Sequence, residues 1–172
     1  MGHTITHFDH VKVPASALLG SLTSDMNARE RFQLCVRRVR IGCVLVAAIH
    51  IPALRVAAYI ATQYSRRRTV KYSQDLSMPI LSFRTQQLPI AYALARASVL
   101  EALYTVVTPN YTHDDSDHLP AILKALAVKL WRTTATAITD RLGAQGLFEF
   151  NQIMRIDVSV AGVRILDRKS VV

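Results

Sequence analysis

Three adjacent arginines, Arg66-Arg67-Arg68, are the residues best suited to chemistry in this chain. A guanidinium meets phosphate oxygens two at a time, so a run of three makes a phosphate clamp. Residues 26–96 carry twelve Lys and Arg against only Glu30 and Asp75, a net charge of +10 in a chain whose total is +9. A phosphate-rich partner follows from that bias, and a nucleic acid, a nucleotide cofactor or coenzyme A would supply it. The same three arginines also end a long apolar stretch, where positive charge offsets a helix dipole. That structural role is sufficient by itself. Arg37, Arg38 and Arg40 form a second cluster, which reads as a solvated helix face.

Other constellations carry weaker signals. His3, His7 and His10 have metal-ligand chemistry, but on a strand His3 and His7 share a face while His10 points away. With only Asp9 nearby, no metal site is expected. His113 and His118 flank Asp114, Asp115 and Asp117, and this segment reads as a solvated loop and helix cap. Gly143-Ala144-Gln145-Gly146 places two small residues where a backbone can approach a flat ligand or another helix closely. No phosphate-binding Gly-rich loop and no Ser/His/Asp spacing is present.

Long helices must position these groups. Apolar residues make up 51% of the chain and aromatics 7%, an aliphatic, alanine-rich composition that suits close-packed helices. Ser24 or Asp25 is placed to cap a helix starting near Met26 and running to Tyr64, with a kink expected at Pro52. Residues 65–79 form a polar connector. A second helix is expected over 82–107. A third follows Leu119, Ile122, Leu126, Leu130, Thr133 or Thr134, Ala137 and Leu142 at helical spacing, and ends at Gly143. Residues 150–162 form a shorter helical candidate. Before all of these, residues 8–20 alternate like a short strand closed by Pro14. A lone strand has nothing to pair with.

Residues 41–62 are apolar nearly all round and long enough to cross a membrane. His50, Pro52 and Arg55 fall in the middle, where a charge costs about 2.5 kcal/mol or more, so a buried core helix is expected and no membrane span. Cys35 and Cys43 lie about 12 Å apart along one helix, beyond disulfide reach. Both are expected as reduced thiols in an intracellular compartment. No signal peptide is evident.

Five segments, in order along the chain, resemble the acyl-CoA dehydrogenase and acyl-CoA oxidase family, nearer its oxidase branch. Residues 8–20 resemble the strand and turn closing the family's middle β domain. Arg38-Val39-Arg40-Ile41-Gly42 resembles the start of the first long helix of its C-terminal domain, and Tyr64-Ser65-Arg66-Arg67-Arg68-Thr69 the end of that helix. Ile80-Leu81-Ser82-Phe83-Arg84-Thr85-Gln86-Gln87-Leu88 resembles the segment opening the next helix. Arg141-Leu142-Gly143-Ala144-Gln145-Gly146-Leu147 resembles the family's Gly-rich segment. The resemblance implies an all-α, up-down helical bundle preceded by a short remnant strand of a β domain. Residues 1–22 would end the middle β domain, and residues 23–172 would form the C-terminal helical domain.

The chemistry implied by the resemblance is FAD-dependent oxidation of an acyl thioester to its α,β-unsaturated form. A carboxylate takes the α-proton and a hydride leaves the β-carbon. Arg68 matches the arginine that binds the FAD pyrophosphate of a neighbouring subunit. Gln86, or Arg84 in a shifted alignment, stands at the position of a glutamine facing that flavin, and Gly143 and Gly146 match its Gly-rich backbone. Asp167 matches the catalytic glutamate, one methylene shorter, and Arg168 stands where the family has glycine. The implied partners are acyl-CoA or another acyl thioester, and either a second copy or a complementing chain that holds the flavin ring. Compartment would be cytoplasmic or peroxisomal, although Lys169-Ser170-Val171-Val172 is not a peroxisomal address. Two other readings compete. One is a non-catalytic helical assembly module or truncated gene product. The other is a basic nucleic-acid-binding helical protein, which rests on charge alone and lacks a stacking aromatic platform.

Overall fold

A reciprocal cap starts the first long helix. Asn27 Oδ1 accepts from the Glu30 N–H at 2.9 Å, and Glu30 Oε2 accepts from the Asn27 N–H at 2.9 Å. Such a capping box needs a side-chain acceptor three residues beyond the cap that can reach back. Ser24 and Asp25, the expected caps, have Asn27 and Ala28 at that distance. Asn27, with Glu30, takes the role instead.

The computed structural model describes residues 5–17, 27–71, 73, 76–109 and 118–167, and the side chains of these except 33–40 and 162–167. Four helices follow in order: α1 (Ala28–Arg67), α2 (Arg84–Val107), α3 (Leu119–Arg141) and α4 (Gln152–Asp167). The chain divides into two compact units, Met1–Cys35 and Val36–Val172. In the first, residues 5–17 are exposed throughout, with a 3-10 turn at Ala15–Ala17. The described part of the alternating segment thus forms no strand, bending at Asp9 and at His10, whose φ is +45°. Residues 18–26 lie outside the description, and with them the expected boundary between 22 and 23.

The second unit is an up-down helical bundle, and side-chain bonds give its directions. Ser65 on α1 meets Gln86 on α2, and Arg55 meets Glu101. As one number rises the other falls, so α1 and α2 are antiparallel. Gln86 also meets Arg141 on α3, and Arg96 meets Thr134, so α2 and α3 are antiparallel too. Trp131 Nε1 donates to Asp157 Oδ1 at 3.0 Å and ties α3 to α4.

The core is built on alanine. Ala47, Ala53, Ala57, Ala58 and Ala61 of α1 pack with Ala93 and Ala97 of α2 and Ala127 and Ala135 of α3 around Leu54, Leu100, Leu123, Trp131 and Ile138. Small side chains let helix backbones approach closely. The buried stripe of α3 is Leu123, Ala127, Trp131, Thr134 and Ile138. Leu119 and Ile122, part of the periodic set read from sequence, are exposed. α3 is apolar on more than one face, and Trp131, the largest side chain, fixes which face turns inward.

The connector after α1 contains a small antiparallel hairpin, β1 (Thr69–Lys71) and β2 (Ser77–Pro79), with Thr69 opposite Pro79. α1 runs through Pro52 without interruption. Cys43 is a buried thiol; the Cys35 side chain lies outside the description. By length and composition, Ile41–Arg67 and α2 could each cross a membrane, with mean hydropathies of 2.0 and 1.4.

Candidate functional site

Three helix ends converge at one end of the bundle. Arg66 and Arg67 close the last turn of α1, where free carbonyls and the helix dipole favour positive charge. The Arg68 N–H donates to the Tyr64 carbonyl at 2.9 Å, finishing the helix, and its own carbonyl accepts from the Ile80 N–H at 2.9 Å. That pair of bonds holds the arginine run against the segment that opens α2. All three arginines are exposed.

Gln86 lies behind them, in the first turn of α2, and is buried. Its Nε2 donates to Ser65 Oγ at 2.9 Å and to the Arg141 carbonyl at 3.0 Å. Ser65 is itself fully buried. One amide thus joins the end of α1, the start of α2 and the end of α3. A buried polar group without partners costs about 1–3 kcal/mol, so this geometry is held tightly.

α3 ends at Arg141, and Leu142 caps it. The Leu142 N–H donates to both Ile138 and Thr139 carbonyls at 3.1 Å. Gly143 then takes φ +57°, the left-handed conformation that stops helices and suits glycine. Gly146 is buried for a different reason. A Cβ there would stand 2.6 Å from the Thr139 carbonyl oxygen. Asn151 then caps α4, its Oδ1 accepting from the Ile153 N–H at 2.9 Å while its Nδ2 donates to the Gln145 carbonyl at 2.9 Å.

The sequence-derived site residues therefore divide. Arg68, Gln86 and the glycine segment share one end of the bundle. Arg68 and Gly143 are exposed there, whereas the Gln86 amide points inward and the close approach at Gly146 is filled by Thr139. Asp167 is the last residue of α4; its side chain and all of Arg168 lie outside the description. Among the described residues, no three His, Cys, Asp or Glu side chains gather as a metal site.

Two features were missed in the sequence. An open groove of about 560 Å3 runs beside the arginines, lined by Tyr59, Ile60, Gln63, Tyr64, Arg67 and Arg68. Tyr59 and Tyr64 were visible as helical neighbours of the arginine run. Phe148 and Phe150 stack with ring centres 5.2 Å apart, both exposed just after the glycines. Their i, i+2 spacing gave no signal, because stacking here depends on a turn rather than a strand. Chemically, this end offers guanidinium and aromatic groups to an anion bearing a flat ring.

No protein-family model matches the chain, and no curated protein or solved structure is significantly similar to it.

Proposed function

We propose that this chain is the C-terminal helical part of an FAD-dependent acyl-CoA oxidase or dehydrogenase, which oxidises an acyl thioester to its α,β-unsaturated form. One observation carries the reading. Three of the five segments that prompted the resemblance, around Ser65, Gln86 and Arg141, meet through a single side chain although they lie 21 and 55 residues apart. An up-down bundle brings these three helix ends together, and the segments that carry the resemblance are the ones that meet there.

The flavin fit rests on Arg68. Its guanidinium is exposed beside Arg66 and Arg67, so it can hold a pyrophosphate bidentately. Gln86 instead acts as a positioning residue, since its amide holds the helix ends that present those arginines. FAD, when bound, supplies the hydride acceptor. Asp167 would take the α-proton through its carboxylate, with the shorter side chain limiting its reach; a displacement near ~1 Å can cost ~100-fold in rate.

A chimera tests this. The chain is joined to the flavin-ring domains of an acyl-CoA oxidase, and flavin content and enoyl thioester formation are measured. The reading expects bound FAD that is lost in Arg68→Ala, and weak turnover that is lost in Asp167→Asn and raised by Asp167→Glu with Arg168→Gly. A folded chimera that binds no FAD, or binds it equally well without Arg68, defeats the reading. A second reading, a non-catalytic assembly module, draws on the large apolar side chains exposed along α1 and α2. It expects assembly with no turnover in any variant.

A further inference from the structure

Thr69 follows the arginine run directly. The sequence Arg66-Arg67-Arg68-Thr69-Val70 sets a hydroxyl two and three residues beyond arginines, with an apolar residue after it. No other Ser or Thr of the chain has Lys or Arg at both of those offsets. Protein kinases select substrates by charge pattern, and carboxylates in the cleft read arginines at a fixed distance before the acceptor hydroxyl.

The local fold presents this hydroxyl. Thr69 is exposed and opens β1, just beyond the end of α1. Thr62, Ser98, Thr105, Thr133, Thr136 and Ser159, by contrast, sit inside helices and each donate to the carbonyl four residues back. Ser65, on the near side of the run, is fully buried.

The backbone around Thr69 is also suited to capture. The Ile80 N–H donates to the Arg68 carbonyl, so Thr69 and Pro79 form a non-hydrogen-bonded pair of the ladder. The Thr69 N–H and carbonyl therefore point away from β2, toward an edge that no described strand covers. A segment already extended, with its free edge outward, fits a cleft that holds its substrate as an extended chain. β1 and β2 pack chiefly against each other, so the hairpin can enter such a cleft without disturbing the helical core. Arg66 and Arg67 lie in the last turn of α1. Helix ends fray, and opening that turn extends the segment to include both arginines.

We propose that Thr69 is a phosphorylation site for an arginine-directed protein kinase, and that its phosphate closes the arginine run to other anions. Thr69 Oγ1 attacks the γ-phosphorus of a magnesium-bound nucleoside triphosphate. The bond from that phosphorus to the bridging oxygen breaks, the nucleoside diphosphate leaves, and the hydroxyl proton passes to the aspartate of the kinase. The product carries a charge of about −1.5 to −2 at pH 7. Arg66, Arg67 and Arg68 stand one to three residues away, so this phosphate takes the charge-assisted bonds that the run would give a ligand. Phosphorylation of Thr69 is independent of any flavin chemistry; the closing of the run rests on the reading of Arg68 as a pyrophosphate ligand.

The full chain incubated with ATP, magnesium and the catalytic subunit of cyclic-AMP-dependent protein kinase tests the site, with mass spectrometry locating the phosphate. Stoichiometric labelling at Thr69 is expected. Thr69→Val should abolish it and Thr69→Ser should retain it. Arg66→Gln with Arg67→Gln should slow it at least tenfold, with circular dichroism checking that each variant is folded. A folded chain left unlabelled at Thr69 overturns the proposal, even if a peptide of residues 62–73 is labelled. So does labelling indifferent to the two arginines. Calorimetry with inorganic pyrophosphate reads the closing step. The unmodified chain should bind it, and the phosphorylated chain at least tenfold more weakly. Equal binding by the two forms overturns the closing step. Pyrophosphate binding to neither form defeats the flavin reading of Arg68 and the closing step together, whereas failed labelling with intact pyrophosphate binding defeats the Thr69 assignment alone.

Discussion

Gln86 and Ser65 lie 21 residues apart in sequence and 2.9 Å apart in space, and the same amide reaches the Arg141 carbonyl. Replacing Gln86 by leucine would leave a buried hydroxyl and a carbonyl without their donor. The expected loss is about 2–3 kcal/mol in urea unfolding, against about 1 kcal/mol for Ser65→Ala. Equal, negligible losses would mean that water replaces the amide and the junction is not dry.

Gly42, Gly143 and Gly146 should respond in a graded way to alanine. Gly146→Ala drives a Cβ to 2.6 Å from backbone oxygen and should cost about 1–3 kcal/mol or more. Gly143→Ala meets nothing within 4 Å but adopts φ +57°, so about 1–2 kcal/mol is expected. Gly42 lies inside α1 with open space around it, and there alanine should stabilise by about 0.5–1 kcal/mol. Thermal unfolding of the three variants side by side gives the order.

Trp131 anchors α4 through Asp157. Trp131→Phe keeps most of the apolar contact and removes the N–H donor. A loss of about 1.5–3 kcal/mol is expected, including repacking, because the acceptor is a carboxylate. Asp157→Ala should add little in the Trp131→Phe background, and a double-mutant cycle measures that coupling. Fully additive losses would show that the bond does not join the helices.

His50 makes stability depend on pH. It is fully buried; Nδ1 donates to the Val46 carbonyl at 2.7 Å and Nε2 has no hydrogen-bond partner. Burial disfavours the charged ring and pushes its pKa below the ordinary 6.5, more than the Val46 bond raises it. The unfolded chain therefore binds a proton near pH 6.5 that the folded chain refuses. The neutral ring's contribution is complete above 6.5 and declines as pH falls from 6.5 toward the lowered folded value. Urea midpoints between pH 7.5 and 5 should fall more steeply for the wild type than for His50→Leu. Parallel slopes would remove His50 as the cause.

Helix number, order and approximate bounds were legible in the sequence, because apolar spacing and Gly143 mark them directly. The hairpin was not. Thr69–Lys71 and Ser77–Pro79 are three residues each, too short to show a period. On α3 the right period led to the less buried stripe, since two apolar faces compete and only packing around Trp131 decides. At the candidate site, Arg68 was readable from charge at a helix end. The inward turn of Gln86 was not, for it depends on where Ser65 and Arg141 arrive in three dimensions.

The alanine-lined contact between α1 and its neighbours has a consequence for how this protein tolerates sequence drift. Ala47, Ala57, Ala58, Ala61, Ala93 and Ala97 have almost no side chain to lose, so truncation there cannot open a cavity. Each added methylene must instead force two backbones apart along a shared line. Variation at these positions is therefore permitted in one direction only, toward glycine or serine and never toward valine or leucine. The chain can loosen by small steps, but it has no gradual route to a bulkier core.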